Sequence, residues 1–439
     1  MKLKLLIITM ILFILGACAK TEGTEEPASI IPEPPAISEF PAEPDFPIEI
    51  ELAENPASDF EWEAVDGGVE ITRYIRDEES VVIPAEINGL PVVSIGTHAF
   101  STAVQGTTIT KLKSVIIPDT VTNIGRNAFR QAPLESIIIP DSVTHIGQEA
   151  FRYCYQLSSV TIGNSVTHIG GAAFESCAIT SIVLPESIEL IEYGAFYGCS
   201  RLTDITFPDS FIYLHSGVFY DTAWFRNQPD GVVYAGNIAY DFKGDKRNAE
   251  SLEIREGTLG IAFGAFKNFT SSTDFYNFTS ITLPDGLIHI GEQAFWECEE
   301  LVEVIFPESV TSVGAGAFHG TAWLETHEGV VYINNTAIAF NDSNNTISSV
   351  DIREGTTHIN YWDLWENTEL MNISIPDSVT EIEYYSFRRF KEGLSVTYKD
   401  ETYNAQMGVI RSNVYNEPDT VIWDLPQEFY NAFNRFQPF

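Results

Sequence analysis

Apolar positions along this chain recur in a phrase that changes period partway through. In Leu134-Glu135-Ser136-Ile137-Ile138-Ile139-Pro140, Ile137 and Ile139 share one face, as in a half-buried strand, and Pro140 ends it because it has no N–H to give a ladder. A mostly polar arc follows, from Asp141 through Val143, His145, Ile146 and Gly147 to Glu149, and closes on Ala150-Phe151. The phrase returns with its Phe at Phe100, Phe129, Phe151, Phe174, Phe196, Phe219, Phe266, Phe295, Phe318 and Phe387. Leu364 stands in one degenerate copy, which makes eleven.

Successive intervals are 29, 22, 23, 22, 23, 47, 29, 23, 46 and 23 residues, so the unit is 22 or 23. From Pro118, Pro140, Pro185, Pro208, Pro284, Pro307 or Pro376 to the Phe of the phrase the distance is always 11. Length variation therefore falls between the Phe and the next strand, where loops are tolerated, while the Pro-to-Phe arc is sterically fixed. One unit buries too little to fold alone. Stacked in parallel, the units align Ile137, Val160, Ile182 and Ile205 in one apolar column and Phe151, Phe174, Phe196 and Phe219 in another. A solenoid of about 11 rungs is predicted over residues 81–393, in place of the several domains that 439 residues would ordinarily suggest. Gly147, Gly170 and Gly291, each after an Ile, are expected to provide either a positive φ or close backbone approach.

The flanks depart from the phrase. Residues 52–80 alternate around Asp66-Gly67-Gly68 as a β-hairpin and are expected to cap the first rung. The two long intervals hold what look like inserted hairpins, near 221–247 and 320–346, with the similar stretches Gly231 to Tyr240 and Gly329 to Phe340. Each follows a Thr-Ala-Trp, and Trp224 and Trp323 lie 99 residues apart, as in a duplicated block of rungs. Residues 394–439 are expected to form a C-terminal cap, with Asp400-Glu401 in a turn and a helix such as Pro426 to Phe436.

At the other end, residues 1–17 carry Lys2 and Lys4 before the apolar run Leu5 to Leu15, a signal peptide too short to span a bilayer, which needs about 20 apolar residues. Residues 18–51 hold seven prolines among Glu, Ala and Ser, predicting an extended acidic stalk.

Composition narrows the function. The chain is 44% hydrophobic, with 29 Phe and 18 Tyr, which suits a folded chain, and 62 acidic against 24 basic residues give a net charge of −38 that disfavours nucleic acid. Cys154, Cys177, Cys199 and Cys298 each lie three residues after a Phe of the phrase and read as buried free thiols; a Cys154–Cys177 disulfide is the alternative. His145 and His168 share one repeat position with His289 and His358, but the neighbouring equivalents Asn123 and Leu190 offer no third metal ligand, so surface histidines are expected. No phosphate loop, nucleophile elbow or metalloprotease helix is present, and neither cofactor nor catalytic residue is assigned.

The wording Ser-Val-Thr-x-Ile-Gly-x-x-Ala-Phe-x-x-Cys-x-x-Leu resembles the BspA-like, Treponema-type leucine-rich repeat family over roughly residues 60–400. The resemblance implies a curved right-handed solenoid, mainly β, with a parallel sheet on the concave face and short strands and helical turns opposite. It also implies a bacterial surface protein of a kind that in some members adheres to host matrix or other bacteria. Leu15-Gly16-Ala17-Cys18 resembles a bacterial lipobox, which implies cleavage before Cys18 and lipid on that residue. A lipid-anchored, surface-exposed monomer is expected, binding extracellular protein or glycan and touching the membrane through its lipid alone. A structural envelope scaffold is the alternative.

Under this reading the concave strands present Ser136/Ile138, Ser159/Thr161, Ser181/Val183, Asp204/Thr206, Ser280/Thr282 and Glu303/Ile305, a strip without the aromatic and Arg side chains of binding hot spots. The partner-binding candidates are therefore the hairpin tips: Tyr234, Asn237 and Tyr240 in the first, Tyr332, Asn334 and Asn335 in the second.

Overall fold

The structure, a computed structural model, describes residues 53–103, 109–210, 213–268, 276–360, 369–382 and 394–404, with the backbone of 406–410 and 420–424. The chain divides into two compact units, Met1–Glu54 and Asn55–Phe439. Cys18, the stalk, Leu364, Phe387 and the helix expected at Pro426 to Phe436 lie outside the described residues.

The second unit is a β-solenoid of about 13 turns, mostly of parallel strands. Each regular rung contributes two short strands. The three-residue strand, such as Ser136–Ile138, is the one that ends before Pro140. The two-residue strand, such as His145–Ile146, lies within the Pro-to-Phe arc. Both kinds pair in register with their equivalents: Ile137 with Val160, Ile182 with Ile205, His145 with His168 and Ile146 with Ile169. The predicted Phe column forms as a stack of rings. Centroids are 5.0 Å apart for Phe129–Phe151, 5.1 Å for Phe151–Phe174 and 5.2 Å for Phe174–Phe196, with planes within 7°. These rings are fully buried, and a buried aromatic pair contributes roughly 0.5–1.5 kcal/mol beyond the area it removes from water.

The glycines after Ile serve close approach. A Cβ on Gly147 would sit 2.8 Å from backbone atoms of Ile124, Gly125 and Arg126 on the preceding rung. The positive φ falls two residues later, at Glu149 (57°), Ala172 (55°) and Gln293 (54°). Cysteine closes the same arc. Cys154 Sγ donates to the carbonyl of Phe129 at 3.0 Å, and Cys177 and Cys199 repeat the bond to Phe151 and Phe174. All four described thiols are buried and unbonded, and burial raises Cys199 to about 12, so they pack as small apolar groups.

The hairpins are built into the stack. Phe60–Val65 and Gly68–Tyr74 pair antiparallel, and the second strand then runs parallel to Leu90–Ile95. Gly231–Ala235 with Ile238–Lys243, and Gly329–Ile333 with Thr336–Asn341, repeat this arrangement: Ile238 and Ala239 pair in parallel with Gly260 and Ile261, and Thr336 and Ala337 with His358 and Ile359. The second strand of each hairpin therefore takes a place in the two-residue ladder. The two added turns account for 13 where the eleven Phe phrases suggested about 11 rungs. Before each internal hairpin, Thr222 or Thr321 caps a four-residue helix, Ala223–Arg226 or Ala322–Glu325, by accepting from Phe225 N or Leu324 N, and Trp224 and Trp323 are buried beneath.

At the far end, Ser395–Tyr398 pairs in parallel with Asn372–Ile375 and turns back into Glu401–Asn404. The turn is centred on Lys399 and Asp400, at φ 50° and 62°; Glu401 opens the return strand instead of sharing the turn as expected.

Candidate functional site

The two-residue ladder lines a groove. Eight steps, counting the hairpin strands at Ile238 and Thr336, separate the strands of Leu190 and Glu381, which would put them about 38 Å apart in a straight stack at roughly 4.8 Å per strand. Yet Glu186, Glu189, Leu190, Tyr213, His289, Ser312, His358 and Glu381 line a single groove of about 710 Å³. The groove therefore runs along one continuous face of the two-residue ladder across these rungs. The three-residue strands lie elsewhere: Ile138 is 59% exposed, Val183 64% and Ile305 72%, with the ladder broken into short sheets. The strip from Ser136 to Ile305, expected on the concave face, lies outside this groove.

The first position of each two-residue strand faces the groove side while the second, always apolar, is buried. Histidine recurs at that first position, so the expected surface histidines are in fact half-buried or, at His289, buried. His145 and His168 stack with centroids 4.7 Å apart, each Nδ1 against a Thr hydroxyl, Thr144 at 2.8 Å and Thr167 at 2.7 Å. Burial first, then the charge of His168, lowers the His145 pKa. His289 shares its Nδ1 with Ser312 Oγ at 3.0 Å, and burial takes its pKa down to about 4. His358 Nε2 lies 3.1 Å from a Glu381 carboxylate oxygen. Among the described residues no three His, Cys, Asp or Glu converge to hold a metal ion.

The hairpin tips are bound down. Tyr240 is fully buried and its hydroxyl accepts from Phe219 N at 2.9 Å, a bond that in regular rungs goes to a backbone carbonyl, as Phe196 N donates to Val218 O. It has no surface to offer a partner, which corrects its place among the contact candidates. Tyr234 is half-buried under Arg255, whose guanidinium lies 3.9 Å from the ring centroid and whose N–H donates to the Tyr234 hydroxyl at 2.9 Å. Tyr332 and Arg353 repeat this at 4.3 Å and 2.9 Å. Asn237 donates to Asp209 O, and Asn334 donates to Pro307 O and Val310 O. Asn335 is exposed. The candidates divide between the two tips, and none of them lines the groove.

A solenoid of stacked strand–arc–Phe rungs, with an inward ladder of polar first positions, defines a leucine-rich-repeat protein. The pattern of the BspA type leucine rich repeat region matches residues 79–199, 167–228 and 270–393, in six copies, and the chain belongs to that family. The family is one of bacterial surface or exported proteins and is typically non-catalytic. No curated protein matches the chain. Among solved structures, a leucine-rich repeat protein of T. pallidum is 25% identical, with 62% of this chain and 90% of that one covered and a TM-score of 0.31. One from Bacteroides ovatus is 24% identical, covering 75% and 91%, with a TM-score of 0.36. A leucine-rich cell surface protein from Faecalibacterium prausnitzii is 23% identical, covering 75% and 90%, with a TM-score of 0.24. No helix among the described residues is long and apolar enough to cross a membrane.

Proposed function

We propose that the protein is a non-enzymatic, lipid-anchored binding protein displayed on a bacterial surface, holding an extracellular protein or glycan in the groove on the inside of the bend. The observation that carries this reading is the groove itself. At about 710 Å³ it is within the usual range of ligand sites, and its wall combines apolar, aromatic, imidazole and carboxylate groups in place of the plain pairing surface of the outer strands. Attachment through Cys18 would hold this face outside the cell, since two or more acyl chains anchor stably.

The test is saturable binding of the full-length protein to a panel of extracellular matrix proteins and glycans, repeated with Leu190→Arg and Ser210→Arg, which crowd the groove. Binding that the crowded variant loses supports the reading; binding that it keeps in full moves the site elsewhere. Acylation that persists in Cys18→Ser would remove the anchor from the account.

A further inference from the structure

The groove has a one-sided charge. Among the described residues its lining carries Glu186, Glu189 and Glu381, the last 3.1 Å from His358 Nε2, and neither Lys nor Arg, in a chain whose net charge is −38. Beside the carboxylates, His289 is 8% exposed; its Nδ1 is taken by Ser312, and its Nε2 makes no hydrogen bond among the described residues. Held neutral by burial, that ring offers an acceptor or a donor to a ligand but no positive charge. Tyr213, 42% exposed on the same wall, presents an aromatic ring of the kind cations prefer. A lone divalent ion is poorly served, since no three ligands converge. The open length of the groove, built by rungs from Glu186 to Glu381, instead suits an extended chain.

We propose, resting on the reading of the groove as the binding face, that its ligand is a basic stretch of polypeptide whose lysine or arginine side chains meet the Glu186, Glu189 and Glu381 carboxylates along its length. The flanking backbone of that stretch lies along the groove, and one of these cations meets the Tyr213 ring.

The probe is a fluorescent decapeptide of alternating Lys and Ala, titrated into the full-length protein in detergent and compared with a Ser-Gly decapeptide and a neutral oligosaccharide. Saturable binding is expected for the Lys peptide alone. Glu189→Gln with Glu381→Gln should weaken it roughly tenfold, whereas Glu61→Gln with Glu63→Gln, exposed on the first strand, should change it by less than about twofold. Equal weakening by both pairs would show diffuse attraction to an acidic surface and overturn the proposal. Groove-dependent binding of the neutral oligosaccharide without the Lys peptide would overturn it too, while leaving the binding face intact. Failure of every matrix protein and glycan in the panel would remove both. Thermal melting checks that the variants fold; if the groove pair does not, Tyr213→Ala is expected to weaken the Lys peptide several-fold in its place.

Discussion

Tyr213 and His289 meet edge to face with ring centroids 4.8 Å apart, although 75 residues, an entire hairpin among them, lie between them in the chain. Gly260 stands at the first position of the intervening two-residue strand and has no side chain to separate them. This contact joins the rungs before the first internal hairpin to those after it along one groove wall.

His289 gives the fold a pH dependence. Burial favours its neutral form in the folded chain and takes the pKa to about 4, whereas the unfolded chain protonates near 6.5, so the unfolded state binds more protons between those values. The stability this residue contributes is complete above about pH 6.5 and is lost as the pH falls toward 4, on the order of 3 kcal/mol across the window. Denaturant melts of wild type and His289→Asn from pH 7.5 to 4 should converge as the pH drops; parallel curves would show that His289 does not titrate in this way.

Neighbouring glycines should respond unequally to the same change. A Cβ on Gly170 would lie 2.6 Å from the backbone N of Gln148, while on Gly171 its nearest neighbour is a Glu192 carboxylate oxygen at 3.3 Å, the end of a flexible side chain. Gly170→Ala is expected to cost about 2–3 kcal/mol and Gly171→Ala less than about 1 kcal/mol in urea melts. Equal costs would contradict the close packing of rungs at this point.

Tyr240→Phe leaves Phe219 N–H buried without its acceptor. A loss of about 1–3 kcal/mol is expected, with ligand binding unchanged because the residue has no exposed surface. A variant that is fully stable but fails to bind would return Tyr240 to the contact surface.

What was legible in the chain was whatever repeats as local chemistry. Phe151, Phe174 and Phe196 recur because each fills the same bend, and Cys154 and Cys177 because a small apolar donor fits the same carbonyl. The hairpins were visible as hairpins, yet read as insertions, because a strand's parallel partner is chosen by backbone pairing and leaves no side-chain signature at Ile238 or Thr336. The positive φ was sought at Gly147 and lies at Glu149, where no glycine marks it. The groove was hidden for a different reason. A groove assembled from many rungs has no local signature, so no single residue announces that Glu189 and Glu381 will line it together, and the recurring histidine was the one signal at that position.

The central claim is that the two-residue ladder is the inner face of a bend that brings Glu189 and Glu381 to one groove. Spin labels at Glu189→Cys and Glu381→Cys, in a Cys18→Ser background that leaves the four buried thiols in place, measure it by pulsed electron resonance. A label separation below about 20 Å is expected; a separation of roughly 38 Å or more, that of a straight stack, would contradict it.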